Sequence, residues 1–183
     1  TQRCRSTMRC VTACLMAALL SDRYPFDDQA DISSPLEMLT GERSCPRQHW
    51  GWLQRTRELA RQLERQLMQI EVKQPSFTVL RSQLEGYLLA CAYPDRIARK
   101  RHSGGYQLSN GRSANLAGNQ SLGKHRWLSA ANVGGLAHVK GDTIRSAACL
   151  DDGLFDGALA HLKTLRSIAE WDDKSKRFVA EAH

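Results

Sequence analysis

The feature that most constrains this chain is a change in its hydrophobic period. Through the first half, apolar residues recur every three or four positions, which places them on one face of a helix. After Gly104 they alternate, as on a half-buried strand. No single element satisfies both spacings, so the chain is expected to be α+β, with helices first and a β-module second. Ala92 to Arg101, AYPDRIARKR, lies where the two regimes meet.

Four helices are expected. Met8, Val11, Cys14, Leu15, Ala18 and Leu19 make one face of the first. Ser34-Pro35-Leu36-Glu37 reads as a capping box with proline at the first helical position, and Gly41 supplies the stop. A long helix runs from about Gln48 to Glu71, burying Trp50, Leu53, Ala60, Leu63, Leu67 and Ile70. The fourth, from about Ser76 to Cys91, buries Val79, Leu80, Leu84, Leu88 and Cys91, until Pro94 closes it.

Beyond Gly104-Gly105, Tyr106 to Leu108 leads into Asn110-Gly111, a dipeptide suited to a tight two-residue hairpin turn. Trp127 to Val133 is a second strand, and Leu136 to Val139 pairs with Thr143 to Cys149 across Lys140-Gly141-Asp142. Asp151 or Asp152 is placed to cap a short helix through Leu162, and Leu165 to Trp171 with Phe178 to Ala182 makes a last hairpin. Short strands with one inserted helix suggest a small antiparallel β-barrel resembling the oligonucleotide/oligosaccharide-binding (OB) type, or else a small sandwich. The division expected is a helical bundle over residues 1–95 and an OB-like barrel over 96–183, cut short at the C-terminus. The chain starts at Thr1 instead of Met and stops in the strand-like FVAEA, so a piece of something larger is expected.

Composition narrows the function classes. Among 183 residues, Lys and Arg outnumber Asp and Glu by 26 to 19, a net charge of +7 that favours an anionic partner such as nucleic acid. The longest apolar run, Val11 to Leu20, is too short to span a bilayer and carries no cleavage site, which points to the cytoplasm. The six cysteines form no C-x-x-C and are read as reduced thiols, not as a metal site.

Catalytic patterns are missing from the sequence. G-x-x-x-x-G-K-[ST] does not occur, and Gly104-Gly105 is better explained as a turn. Asp27-Asp28, Asp151-Asp152 and Asp172-Asp173 sit at turns or helix starts, where Asp serves the backbone. The histidines have no H-E-x-x-H pattern and no close Cys partner, and Ser129, Ser146 and Ser167 lack a G-x-S-x-G setting. Neither a catalytic residue nor a cofactor or metal ligand is assigned.

Charge is more informative. Arg57, Arg61 and Arg65 form a stripe along the long helix, with Glu58 and Glu64 off its line. A stripe of this kind is either a nucleic-acid contact or simply a solvated face. The second cluster is Arg96, Arg99, Lys100 and Arg101, with Arg112 across the expected hairpin. Such a barrel mouth suits single-stranded nucleic acid, since cations track phosphates and Tyr106 could stack on a base. Tyr106 reads equally as a core residue. Arg96, beside Asp95 and Pro94, is expected to pack across the junction instead.

The stretch from Leu89 through Tyr93-Pro94-Asp95-Arg96-Ile97-Ala98 to Arg101, then Tyr106 to Asn110-Gly111-Arg112, resembles the C-terminal region of the HrpB family of bacterial DEAH-box ATP-dependent helicases. Ala17 to Arg23, Trp127-Leu128, Ile144 to Ala148 and Glu170 to Asp172 resemble further family segments in the same order. Ser113 departs from the family's glycine, and Ser129-Ala130-Ala131 is smaller than its valine-rich strand. The resemblance implies two RecA-like ATPase domains and a winged helix upstream of Thr1, carrying ATP, Mg²⁺ and every catalytic motif. This chain would supply a helicase-associated bundle and barrel that grip RNA or single-stranded DNA. The rivals are a free-standing nucleic-acid-binding adaptor and a protein-interaction module whose barrel surface docks a cofactor that stimulates the helicase.

Overall fold

A computed structural model describes residues 2–22, 25, 30–69, 78–102, 104–116, 121–135, 141–163, 167–172 and 177–182. Among these residues lie four α-helices, α1 (Gln2–Ser21), α2 (Ser33–Thr40), α3 (Trp50–Leu67) and α4 (Leu84–Ala92). Seven strands follow: β1 (Ile97–Lys100), β2 (Tyr106–Leu108), β3 (Ser113–Leu116), β4 (Trp127–Gly134), β5 (Asp142–Leu150), β6 (Ser167–Asp172) and β7 (Arg177–Ala182). The fold is thus α+β, with helices first and a β-barrel second.

The first five strands close into a barrel in the order β1-β2-β3-β5-β4. β4, β1, β2 and β3 are antiparallel neighbours in that spatial order, a Greek key. β5 completes the ring, antiparallel to β4 and parallel to β3. Closure gives each of these strands a neighbour on both sides along part of its length. β6 and β7 pair as the expected last hairpin, in a sheet separate from the barrel.

The barrel interior is narrow, and small side chains fill it. Ala98, Ala114, Ala130 and Ala147 pack with Tyr106, Leu108, Leu128 and Ile144. Ala130 faces inward while Ser129 and Ala131 face outward, as strand alternation requires, so the small Ser-Ala-Ala run lets the helices sit close to β4. A second core lies between bundle and barrel: Met16, Leu19, Leu36, Leu39, Trp52, Leu53 and Leu89 pack onto Ala131 and Ala148. Gly86 marks the closest approach, since a Cβ there would lie 2.0 Å from the carbonyl oxygen of Cys149.

Several local expectations are revised. AYPDRIARKR, expected at the junction ahead of the first strand, itself contains that strand: Ile97 to Lys100 is β1, and the glycines turn the chain from β1 into β2. α2 begins two residues early, at Ser33 instead of Pro35: Asp31 Oδ1 accepts the Ser33 N–H, and the Ser33 hydroxyl donates to Glu85 in place of a box with Glu37. Gly41 is the left-handed stop, at φ 86°. The Asn110-Gly111 turn is a three-residue loop, with the Gly111 N–H bonded to the Leu108 carbonyl and Gly111 at φ 86°, a type I turn closed by a glycine bulge. On α3 the buried face is Trp52, Leu53, Thr56 and Ala60, leaving Trp50 54% exposed. Leu80 is also exposed. The helix expected before Leu162 is a pair of 3-10 turns, the first started by Asp151, which accepts the Gly153 N–H. The strand expected at Leu136 to Val139 and the burial of Ile70 lie outside the described residues.

The backbone ties the two halves together. A shift of register in β4 at Ala131 lets Ala130 pair with Ala147 and Asn132 with Ser146. On the other side of β5, Ala147 donates its N–H to Ala30 O and accepts from Ile32 N–H, so the segment before α2 extends the sheet.

Candidate nucleic-acid interface

The two motifs YPDRIA and NGR, separated in sequence, are hydrogen-bonded neighbours in space. Asn110 N–H donates to Asp95 O, Ser109 N–H to Ile97 O, and the Ser109 hydroxyl to Pro94 O at 2.6 Å. Arg96 packs across the junction as expected. Its guanidinium lies 4.6 Å from the Tyr93 ring and donates to the carbonyl of Ala131, the residue left unpaired by the β4 shift. This lattice fixes where β1 starts, and with it the register from which its basic side chains emerge.

Arg99, Lys100 and Arg101 are all exposed. Arg99 alternates outward beside Ile97 and pairs in register with Trp127 of β4, its guanidinium 5.9 Å from the indole centroid. Lys100 Nζ donates to Gly123 O, on the 3-10 turn Leu122–Lys124 that covers one barrel end. Arg101 reaches the hydroxyl of Ser113 at 3.2 Å. Among the described residues no carboxylate is paired with any of the three. Tyr106, the candidate stacking ring, is a core residue: it is 3% exposed, with its hydroxyl aimed at the carbonyls of Leu122 and His125.

The remaining candidates have other partners. Arg112 is bonded to the buried carboxylate of Asp142 at 2.7 Å, clamping the β2–β3 turn to the start of β5. Arg57 donates to the carbonyls of Leu39 and Met38, capping the C-terminal end of α2. Arg61 and Arg65 both pair with Glu58, at 2.6 and 3.5 Å, so the α3 stripe is neutralised more fully than its spacing implies. The structure gathers Arg99, Lys100 and Arg101 at the C-terminal end of β1, places Arg112 on the β2–β3 turn beside the start of β1, and leaves the α3 residues on a different element.

One charged residue was not legible as a site. Arg126 lies 6.0 Å from the centroid of the same Trp127 ring as Arg99. Cation–π contacts at exposed sites contribute about 0.5–1 kcal/mol each, enough to orient a guanidinium without immobilising it. Arg126 also meets Asp152 at 3.6 Å in an exposed ion pair. The cross-strand register brings these residues together, and no local pattern announces it.

A cysteine–histidine pair also emerges, against the expectation that no histidine has a close cysteine partner. Cys149 Sγ is 3.0 Å from His125 Nδ1. Burial, with Asp151 and Asp31 nearby, pushes the Cys149 thiol up, which favours the neutral thiol over a nucleophilic thiolate. Five cysteines are free thiols among the described residues. No helix among those residues is long and apolar enough to cross a membrane.

No family model matches the chain. Over 50 residues it is 52% identical to the ATP-dependent RNA helicase HrpB of Escherichia coli strain K12, a stretch that is 27% of this chain and 6% of that protein. A crystal structure of the E. coli DExH-box NTPase HrpB matches 93% of this chain with a TM-score of 0.62 and 29% identity. A second, of the E. coli DEAH/RHA helicase HrpB, matches the same share at the same TM-score with 24% identity, which speaks for the fold alone. The chain spans 19% of either solved chain. In sequence over part of its length and in fold over nearly all of it, this chain is similar to HrpB, in keeping with the resemblance of its YPDRIA and NGR motifs to that helicase's C-terminal region.

Proposed function

We propose that this chain is an accessory part of an ATP-dependent helicase, in which a bundle over residues 1–95 and a β-module over 96–183, built on the five-stranded barrel, grip single-stranded RNA or DNA. The proposal assigns ATP hydrolysis, with its Mg²⁺, to RecA-like domains upstream in the same protein, working in the cytoplasm. The Greek-key closure of five strands supports an OB-type barrel, an architecture used for oligonucleotides. The observation that carries the reading is the end of β1: three successive exposed cations, Arg99, Lys100 and Arg101, with no carboxylate paired to them among the described residues. A strand's phosphates would provide the missing anions, and such contacts are indifferent to base identity.

Three phosphate contacts predict that affinity for a labelled oligonucleotide falls with salt at a log–log slope of about −2, at roughly −0.7 per contact. The triple variant R99A/K100A/R101A should flatten that slope and weaken binding to all sequences alike. A wild-type slope in the triple variant would show that the cluster serves structure. The rival docking-module reading draws on Trp50, Met68 and Leu80, large apolar side chains left exposed on the helical half. It would gain if the folded chain bound no oligonucleotide.

A further inference from the structure

Two guanidiniums converge on one ring at the barrel surface. Arg99 approaches Trp127 from β1 and Arg126 from the residue before β4, with their guanidinium carbons 5.9 and 6.0 Å from the indole centroid. Trp127 is half-buried, and Phe155 packs against it at 5.1 Å between centroids, so the ring is a fixed floor for both. Gathering two like charges on one aromatic is unfavourable unless an anion lies between or beside them. Only one such anion is present among the described residues: Asp152, which reaches Arg126 through a single 3.6 Å approach and is not paired with Arg99. A phosphodiester has the oxygens and the charge to bridge two planar guanidiniums, which one distant carboxylate does not do here.

We infer that Arg99 and Arg126, oriented by Trp127, form one seat for a backbone phosphate of single-stranded nucleic acid, and that Asp152 is the seat's resident competitor, displaced when the strand binds. The inference rests on the nucleic-acid reading above and adds to it a residue, Arg126, and a built-in restraint on affinity. Both arginines are exposed, so the seat is open to a flexible strand without movement of the barrel.

The test uses the full chain, a short labelled uridine oligoribonucleotide and its deoxythymidine counterpart, with anisotropy titrations across a range of salt. R126A should weaken binding several-fold at low salt and reduce the magnitude of the salt slope by roughly 0.7, as R99A should. D152N should act in the opposite direction, tightening binding roughly two- to five-fold, within the range expected for release from an exposed ion pair. In the R126A background D152N should bring no gain. Because misfolding does not tighten binding, the D152N arm stays informative even if an arginine variant loses stability. An unchanged slope in R126A, or an unchanged affinity in D152N, overturns the seat. If R99A/K100A/R101A still flattens the slope in that case, the wider reading survives without it. A wild-type chain that binds neither oligonucleotide removes both.

Discussion

Arg112 shows why a charge has to be judged by its partner. It stands within a basic cluster in the sequence, yet its guanidinium meets Asp142, whose side chain is only 9% exposed. Removing the arginine leaves a buried carboxylate without that hydrogen bond, a loss of about 1–3 kcal/mol, and the low end is expected because Arg112 itself is 62% exposed. R112A should therefore lower the urea midpoint measurably while shifting the oligonucleotide salt slope less than R99A does. If R112A leaves stability untouched but flattens the slope as R99A does, the clamp is misassigned. Arg57 follows the same logic: it donates to two end carbonyls of α2, and its spacing from Arg61 carried no hint of that.

At the scale of elements, α4 shows how one glycine sets the distance between helix and barrel. A Gly86→Ala change improves intrinsic helix propensity by about 1 kcal/mol. Against this, the new methyl would lie 2.0 Å from Cys149 O and 3.2 Å from the Leu150 Cα, both backbone atoms of β5 that cannot swing aside. Overpacking against a fixed backbone costs about 3 kcal/mol or more, so the clash wins. G86A should unfold at clearly lower denaturant and loosen amide protection along β5. Hydrogen exchange at Cys149 and Leu150 as slow as in the wild type would refute the close approach. α1 teaches a related lesson. Its period of three and four marks a helix, but Cys14 and Ala18 meet Ala60 of α3 while Met16 and Leu19 join the core over the barrel. A helix between two partners buries two faces, and one expected stripe describes only part of it.

For the whole molecule, the join between bundle and barrel carries a titratable group. Glu85 near the start of α4 accepts the Ser33 hydroxyl at 2.9 Å from the start of α2. Burial holds its carboxyl above the ordinary 4.5; Asp31 and Glu37 push the same way, and the Ser33 bond and Arg81 oppose them. A folded pKa above the unfolded one means the native state keeps a proton that the unfolded chain releases. Glu85's contribution is therefore fully present below about pH 4.5 and is lost as pH rises through its folded value. Glu85→Gln keeps an acceptor for Ser33 and removes the titration. It should raise the thermal midpoint at pH 7 relative to wild type and leave the two similar near pH 4. An equal difference at both pH values would place the effect elsewhere.

The change of period, the stops at Gly41 and Pro94 and the glycine-bearing hairpin turn are all local, and they sufficed to separate helices from strands. The YPDRIA and NGR motifs carry the resemblance to HrpB in the sequence itself. Ile97 to Lys100 escaped as a strand because a short run with Ile97 out, Ala98 in and three cations after it lacks a clear alternation. Pairing with β2 and β4 makes it one. Which cations are balanced was likewise not legible: Asp142 lies far along the chain from Arg112, and Trp127 meets Arg99 only through the β1–β4 register. Periodicity and turn chemistry act within a few residues and are written in the sequence. Charge balance and the meeting of Arg99 and Arg126 over one ring depend on distances between remote segments, which only barrel closure sets.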